Sequence, residues 1–452
     1  MSTPSIDSDL KVTTSNRQIL AVAMPITLAM LVPQINFLTN NIFLGGLGKE
    51  ELGIAGITGV FYLIFALVGS GLNNGLQALI ARRAGEGRPK EIGKLSCQAI
   101  WIAMLFASSF ILITYYVAPY ALHATLKSTE VENTAIQFLK IRAWGIPFLY
   151  LFLLGNAFLV GSNNSRYLKY AFIIESGLNI FLDYTLIYGH WGFPKLGFNG
   201  AAVASVIAEI VALITVFLII YKKKFHLRFQ LFQYLRFNKP IAGLVFRQSS
   251  PLVLQFLLSI IGWLIFFILI ENTGEHNLAI SNTMRNIFGI FGIFTWGFAS
   301  TSNAMVSNII GQGKKDEVFK LIQKIMWLSV AFTATLCLLL NLMPALFLSI
   351  FGQNEIFIAD AIPVLRMVSI AIIFMSIATV WLNAVTGTGN TNINLLIELI
   401  TITLYVFYVW FVIKVWHFPL VWAWSVELLY WGIIFLLSFL YLRSGRWRKK
   451  VI

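Results

Sequence analysis

Long apolar blocks alternate with short polar segments from residue 18 to residue 443. Blocks such as "FYLIFALVG" and "LLIELITITLYVFYVWFVI" lack the two-residue alternation of a barrel strand with a polar lumen face, so the pattern predicts helices. With their flanks they supply the roughly 20 residues that cross a bilayer as a helix. The predicted spans are 18–44, 54–80, 96–117, 134–160, 168–188, 199–221, 246–270, 277–305, 321–346, 358–384, 393–413 and 421–443. The expected fold is an all-α polytopic membrane protein of twelve transmembrane helices.

The two halves of the chain resemble each other at a constant displacement of 226 residues. Pro25 falls on Pro251, Gly48 on Gly274, Leu52 on Leu278 and Phe65 on Phe291. Gly71 then falls on Gly297, Ala78 on Ala304, and "GEG" at 85–87 on "GQG" at 311–313. "GSNN" from Gly161 matches "GTGN" from Gly387. A repeat of six spans enters the membrane twice in the same orientation, which predicts two six-helix lobes related by a parallel repeat. The expected division is a cytoplasmic N-terminal tail at 1–17, an N-lobe at 18–221, a basic cytoplasmic linker at 222–245, a C-lobe at 246–443 and a basic cytoplasmic tail at 444–452.

Composition agrees with this reading. Of 452 residues, 58% are hydrophobic and 12% charged, against about 25% charged in soluble domains. The first 16 residues, "MSTPSIDSDLKVTTSN", have no apolar core and are not read as a signal or targeting segment. A net charge of +14 would suit nucleic acid, yet the basic clusters "ARRAGEGRPKEIGK", "NNSRYLKY", "YKKKFHLRFQLFQYLRFNKP", "GQGKKDEVFK" and "RSGRWRKK" follow every second apolar block. That is the positive-inside pattern. It predicts an inner (plasma) membrane protein with both termini cytoplasmic, the lipid bilayer as partner and no nucleic acid. Cys97 and Cys337 lie in apolar segments and the five histidines are scattered, so neither a disulfide nor a metal site is expected. "GEGRPK" and "GTGNTN" lack the strand, spacing and Lys-Ser/Thr of a phosphate loop. Without an ATP site, transport would draw on an ion gradient, with no cofactor.

The landmarks "NNIFLGGLG", "GSGLNNGLQALIARRAGEGR", "LDYTLIYGHWGFPKLGFNGAAVASVIAE", "NAMVSNIIGQGKKDE" and "AVTGTGNTN" together resemble the multidrug and toxic compound extrusion (MATE) family of cation-coupled antiporters, from Pro25 to about residue 443. The resemblance implies export of amphipathic, cationic small molecules in exchange for inward H+, or Na+, and no enzymatic activity. The chain departs from the family in two places. Asn40 stands where members commonly carry an aspartate before the F-x-G turn, here Phe43 and Gly45. Ser259 and Met375 stand where one branch has acids in spans seven and ten.

Asp183 interrupts the apolar stretch "NIFLDYTLIYG", and a carboxylate at membrane depth is a functional candidate by default. Asn179 is one turn before it on the same helical face. Glu175, another turn back, is about 80° away around the helix. Asn40 falls at a depth similar to that of Asp183, so the two are expected to face each other, the amide donating a hydrogen bond or ligating an ion without adding charge. Asp183 would load H+ reversibly, or hold Na+ through its oxygens and the Asn179 amide. In the second half, Glu427 and Arg285 are expected at similar depth as a pair serving as gate or substrate-cavity contact. Glu398, alone among carboxylates in its span, is a further ion-coupling candidate; Glu427 is another, weakened by pairing, and Glu209 ranks lower. A different class remains open, a lipid-linked oligosaccharide flippase of the same superfamily, which would need more deep cations than Arg285; a non-transporting receptor or scaffold is the third. With no large extramembrane domain, a monomer is expected.

Overall fold

A computed structural model describes residues 10–126, 128–349 and 354–450; the first nine residues of the expected N-terminal tail and the last two of the C-terminal tail lie outside them. The described residues contain helices and turns but no strand. In chain order the α-helices are α1 (Asn16–Gly45), α2 (Lys49–Gly85), α3 (Pro89–Tyr116), α4 (Ala118–Thr125), α5 (Thr129–Ala143), α6 (Ile146–Gly161), α7 (Leu168–Tyr188) and α8 (Phe198–Lys222). Then follow α9 (Phe225–Arg228), α10 (Lys239–Glu271), α11 (Glu275–Gly311), α12 (Val318–Leu342), α13 (Pro344–Ser349), α14 (Glu355–Gly387), α15 (Thr391–Trp410), α16 (Leu420–Trp424) and α17 (Val426–Arg443).

The repeat is built into the helix ends. α2 and α11 start and stop 226 residues apart, and so do the joined pair α5–α6 and the continuous α14. The turns match as well. Gly87 and Gly313 both carry positive φ, at 70° and 81°, a left-handed conformation that glycine adopts without a Cβ clash. They close equivalent helix ends. Within that pair the halves differ: α5 and α6 are bent by 44° around Trp144 and Gly145, where α14 is uninterrupted.

Ten described helices are long and apolar enough to cross a membrane, or eleven if the bent α5–α6 pair is one span. The expected span at 277–305 is the shortfall. Its helix, α11, is 37 residues long but carries Thr283, Thr295, Ser300, Thr301, Ser302, Asn303, Ser307 and Asn308, all buried. These side chains lower its apolar content and face protein rather than lipid, which is where intramembrane polar groups are tolerated.

Two compact units divide the described chain. One is Leu10 with Leu28–Val253, and the other is Lys11–Thr27 with the residues from Leu254 onward. The boundaries after Thr27 and after Val253 fall inside helices, α1 and α10, at positions one repeat apart. In the first unit Gly71 of α2 receives α10: a Cβ there would stand 2.7 Å from the backbone nitrogen of Val253. In the second unit Gly297 of α11 receives α1, a Cβ there standing 3.1 Å from Cα of Thr27. Small residues that let backbones approach are the usual seam of helices in lipid.

The segment 222–245 packs within the first unit. The Gln98 amide donates to the carbonyls of Tyr234 (2.8 Å) and Arg236 (2.9 Å) and accepts from the Asn238 N–H (2.8 Å), while Trp101 Nε1 donates to Leu235 O.

Candidate functional site

In the first unit α7 presents a buried stripe of Ser176, Asn179 and Asp183. Gly189, with φ 78°, ends the helix in a left-handed cap. α8 lies close against it because its facing residues are small. Gly200 touches the Leu186 carbonyl, and Ala201, Ala204 and Ala208 are buried. The two helices run antiparallel in a register set by Asn179 Nδ2 and Ser205 Oγ, 3.4 Å apart.

Asp183 is fully buried, and neither carboxylate oxygen has a hydrogen-bond partner among the described residues. The amide oxygens of Asn179 and Asn40 are likewise buried and unpartnered. α1 is fastened to α7 at two levels, by Ser176 Oγ to Asn36 Oδ1 and by Tyr188 OH to the Phe43 carbonyl (2.7 Å). Asn40 lies four of the seven residues from Asn36 to Phe43. The matching level on α7 is about seven of the twelve from Ser176 to Tyr188, at Asp183.

One turn from the Asn179–Ser205 rung, on the side away from Asp183, stand Glu175 and Glu209. Glu209 is salt-bridged to Arg142 of α5 at 3.0 Å and accepts from Tyr62 OH of α2 at 2.6 Å. The guanidinium lies over the Tyr62 ring at 3.7 Å. Arg142 and Glu209 are 9% and 5% exposed, so this is a desolvated pair. Arg142 and Tyr62 were not singled out from sequence; an arginine thirteen residues into a helix of an apolar span was the available signal.

In the second unit Glu398 and Glu427 are buried on α15 and α17. Glu398 accepts from Ser259 Oγ (2.6 Å) and Tyr430 OH (2.7 Å). The carboxylate of α15 therefore reaches the α10 position where the family resemblance would put an acid. Glu427 accepts from Tyr405 OH and Trp431 Nε1, both at 3.1 Å. The expected Arg285–Glu427 pair is corrected. Arg285 is exposed, over the Phe267 ring at 5.2 Å, and forms no ion pair among the described residues. Glu427 meets α15 and its own helix, whereas Arg285 meets α10.

Buried carboxylates and amides among helices of membrane-spanning length are the marks of a multi-pass membrane protein. The MatE family model matches residues 25–185 and 251–411, again one repeat apart. The chain belongs to the MatE family of transporters, the multidrug and toxic compound extrusion proteins. A relative from Thermotoga maritima, named "Probable multidrug resistance protein NorM", is 24% identical over 450 residues, 96% of this chain and 94% of the relative. A relative of the same name from Rhizobium meliloti is 28% identical over 330 residues, 72% of this chain and 70% of the relative. Among solved structures, a MATE protein in complex with MaL6 superposes with a TM-score of 0.88 at 17% identity, covering 98% of both chains. The outward-facing conformation of a multidrug resistance MATE transporter of the MOP superfamily gives 0.88 at 18% identity, covering 100% of both. Both likenesses are of fold.

Proposed function

We propose that the chain is a secondary antiporter that exports amphipathic, cationic compounds in exchange for inward H+, with Na+ the alternative coupling ion. Asp183 carries the reading. A fully buried carboxylate with both oxygens unpartnered changes its protonation or its ligands whenever its surroundings change. Asn179, one turn away, and Asn40 add two hard oxygens, enough to accept a hydrogen bond from a protonated Asp183 or to share a sodium ion, but they add no charge. Export of drugs or toxins is supported by the multidrug resistance names of the relatives. The distribution of Lys and Arg supports cytoplasmic termini in an inner membrane. Alternating access would open the substrate path to each side in turn, with Asp183 loaded in one state and unloaded in the other.

The test is efflux of a cationic dye from proteoliposomes under separately imposed H+ and Na+ gradients, comparing the native chain with Asp183→Asn at matched reconstitution. Gradient-driven efflux lost in the variant is expected, with the folded yield unchanged. Coupled efflux that survives the substitution overturns the role of Asp183. No gradient-driven dye movement by the native chain overturns the antiporter.

A further inference from the structure

The polar groups of the first unit form a column rather than a single site. Three rungs follow one another at four-residue steps on α7, about 6 Å apart along the helix. Asp183 is the first, Asn179 with Ser205 of α8 the second. Glu175, with Glu209 of α8, is the third. Tyr62 and Arg142 each lie thirteen residues from the start of their helices and Glu209 eleven from the start of α8, while Glu175 lies thirteen from the end of α7, which runs the opposite way to α8. They thus share a level about 16–20 Å in, whereas Asp183 is five residues, about 8 Å, from that end.

The third rung holds two carboxylates and one guanidinium. Arg142 is committed to Glu209 at 3.0 Å and Tyr62 donates to the same carboxylate oxygen. Glu175 lies within electrostatic reach of both Arg142 and Glu209, yet its Oε2 is buried without a partner. Glu209 Oε2 and Arg142 Nη1 are also buried and unpartnered. Both border the notch at Gly145, where a Cβ would overlap Glu209 Oε2 and stand 3.1 Å from Arg142 Nη1. One guanidinium neutralises one carboxylate, and an uncompensated charge at this depth is expensive. The second carboxylate therefore needs a proton of its own.

We propose that Glu175, Glu209 and Arg142 form a second proton station, deeper than Asp183 and fed from it through the Asn179–Ser205 rung. The inference rests on proton-driven transport through Asp183. In the transfer the O–H bond breaks at Asp183 and forms at Glu175 Oε2; the proton then leaves Glu175 to water on the cytoplasmic side. Arg142 is taken up by Glu209, so the station holds one exchangeable proton. The charged and titratable groups facing Glu175 are Arg142 of α5 and Glu209 of α8, with Tyr62 of α2 and Tyr150 of α6 behind them and Asp183 on its own helix. Arg142 acts electrostatically on Asp183 too, so one cation senses both stations.

The experiment counts protons per ethidium exported from proteoliposomes, with a trapped pH indicator and dye fluorescence read together. Glu175→Gln is expected to lower proton entry and ethidium export together by about tenfold or more, because the proton loaded at Asp183 loses its acceptor. Native rates of proton entry and ethidium export in Glu175→Gln overturn the second station and leave the antiporter standing. A native chain that exports dye without protons overturns both. A second readout is independent of transport. The infrared carbonyl absorption of protonated carboxyls should lose one component in Glu175→Gln that is kept in Asp183→Asn, with each variant checked for native melting. A band unaffected by Glu175→Gln means that the cluster is only a static ion pair, and the proposal falls.

Discussion

Removing one partner of the Arg142–Glu209 pair should destabilise the first unit far more than removing both. The pair is desolvated on both sides, at 9% and 5% exposure, so solvent screening gives little relief. Breaking a buried ion pair from one side costs about 3–5 kcal/mol, because the other charge stays behind uncompensated. Arg142→Gln also removes the cation from the face of Tyr62, 3.7 Å away, for about 0.5–2 kcal/mol more. Replacing both by apolar residues of similar volume, Arg142→Met with Glu209→Leu, removes the charges together and is expected to be nearly neutral in the pair itself. What remains is Tyr62, whose hydroxyl loses its acceptor at a cost of about 1–3 kcal/mol.

The expected order is thus a loss of about 4 kcal/mol for Arg142→Gln, a similar loss for Glu209→Leu alone, and about 2 kcal/mol for Arg142→Met/Glu209→Leu. Adding Tyr62→Phe to that double variant should recover most of the remainder, since no polar group is then left unsatisfied. Equilibrium unfolding in mixed micelles, titrated with denaturing detergent, measures these differences on one scale. Losses that simply add in the double variant would refute the argument. So would single losses below about 1 kcal/mol, the range of a solvated pair.

Three other outcomes follow from the packing. Gly145→Ala should cost about 1–3 kcal/mol by overpacking, and much less in a Glu209→Ala background that removes the overlapping oxygen; equal costs in both backgrounds on the same unfolding scale would refute it. Gly297→Ala drives a methyl group into Thr27, with a comparable expected loss that Thr27→Ala partly restores, measured as the shift in detergent unfolding midpoint. Gln98→Ala removes three hydrogen bonds to the segment 222–245, so trypsin should cut at Arg236 several-fold faster; an unchanged cleavage rate would show that other contacts hold the segment.

The repeat was legible in the sequence because proline and glycine punctuate helices at fixed places. Pro25, Gly48 and "GEG" already gave the displacement that the helix ends and turn dihedrals of the structure repeat. Span 277–305 was harder to grade, since the polar residues of α11 are spent on packing and dilute its apolar signal. A change of packing partner halfway along α1 and α10 leaves no mark on apolar periodicity; its trace is the glycine pair Gly71 and Gly297, which composition cannot interpret. Asp183 with Asn179 was readable because the two share one helix at a four-residue step. Arg142, Glu209 and Tyr62 converge from three helices up to 147 residues apart in sequence, and no spacing rule joins them. The Arg285–Glu427 expectation used depth alone. Depth fixes a level in the membrane but not the direction around the helix, and the two side chains point to different neighbours.

The repeat also shows which parts of the machine are duplicated. The frame is: Gly71 and Gly297 seat the same halves of α10 and α1 in their respective units. The charges are not. At the same displacement Asp183 meets Val409, Glu175 meets Thr401, Arg142 meets Val368, Glu209 meets Phe435 and Asn40 meets Phe266. The equivalent of Asn179 is Tyr405, which donates to Glu427, while Glu427 and Glu398 fall on Ala201 and Phe172 of the first half. Each half therefore carries its buried acids where the other has none. Four of the five second-half counterparts, Val409, Thr401, Val368 and Phe266, are themselves buried, with aliphatic, aromatic or hydroxyl side chains that offer no carboxylate to load. A column like that from Asp183 to Glu175 thus has no counterpart along α15. Coupling through it would be a property of one unit, whereas movement drawn from the shared frame would belong to both.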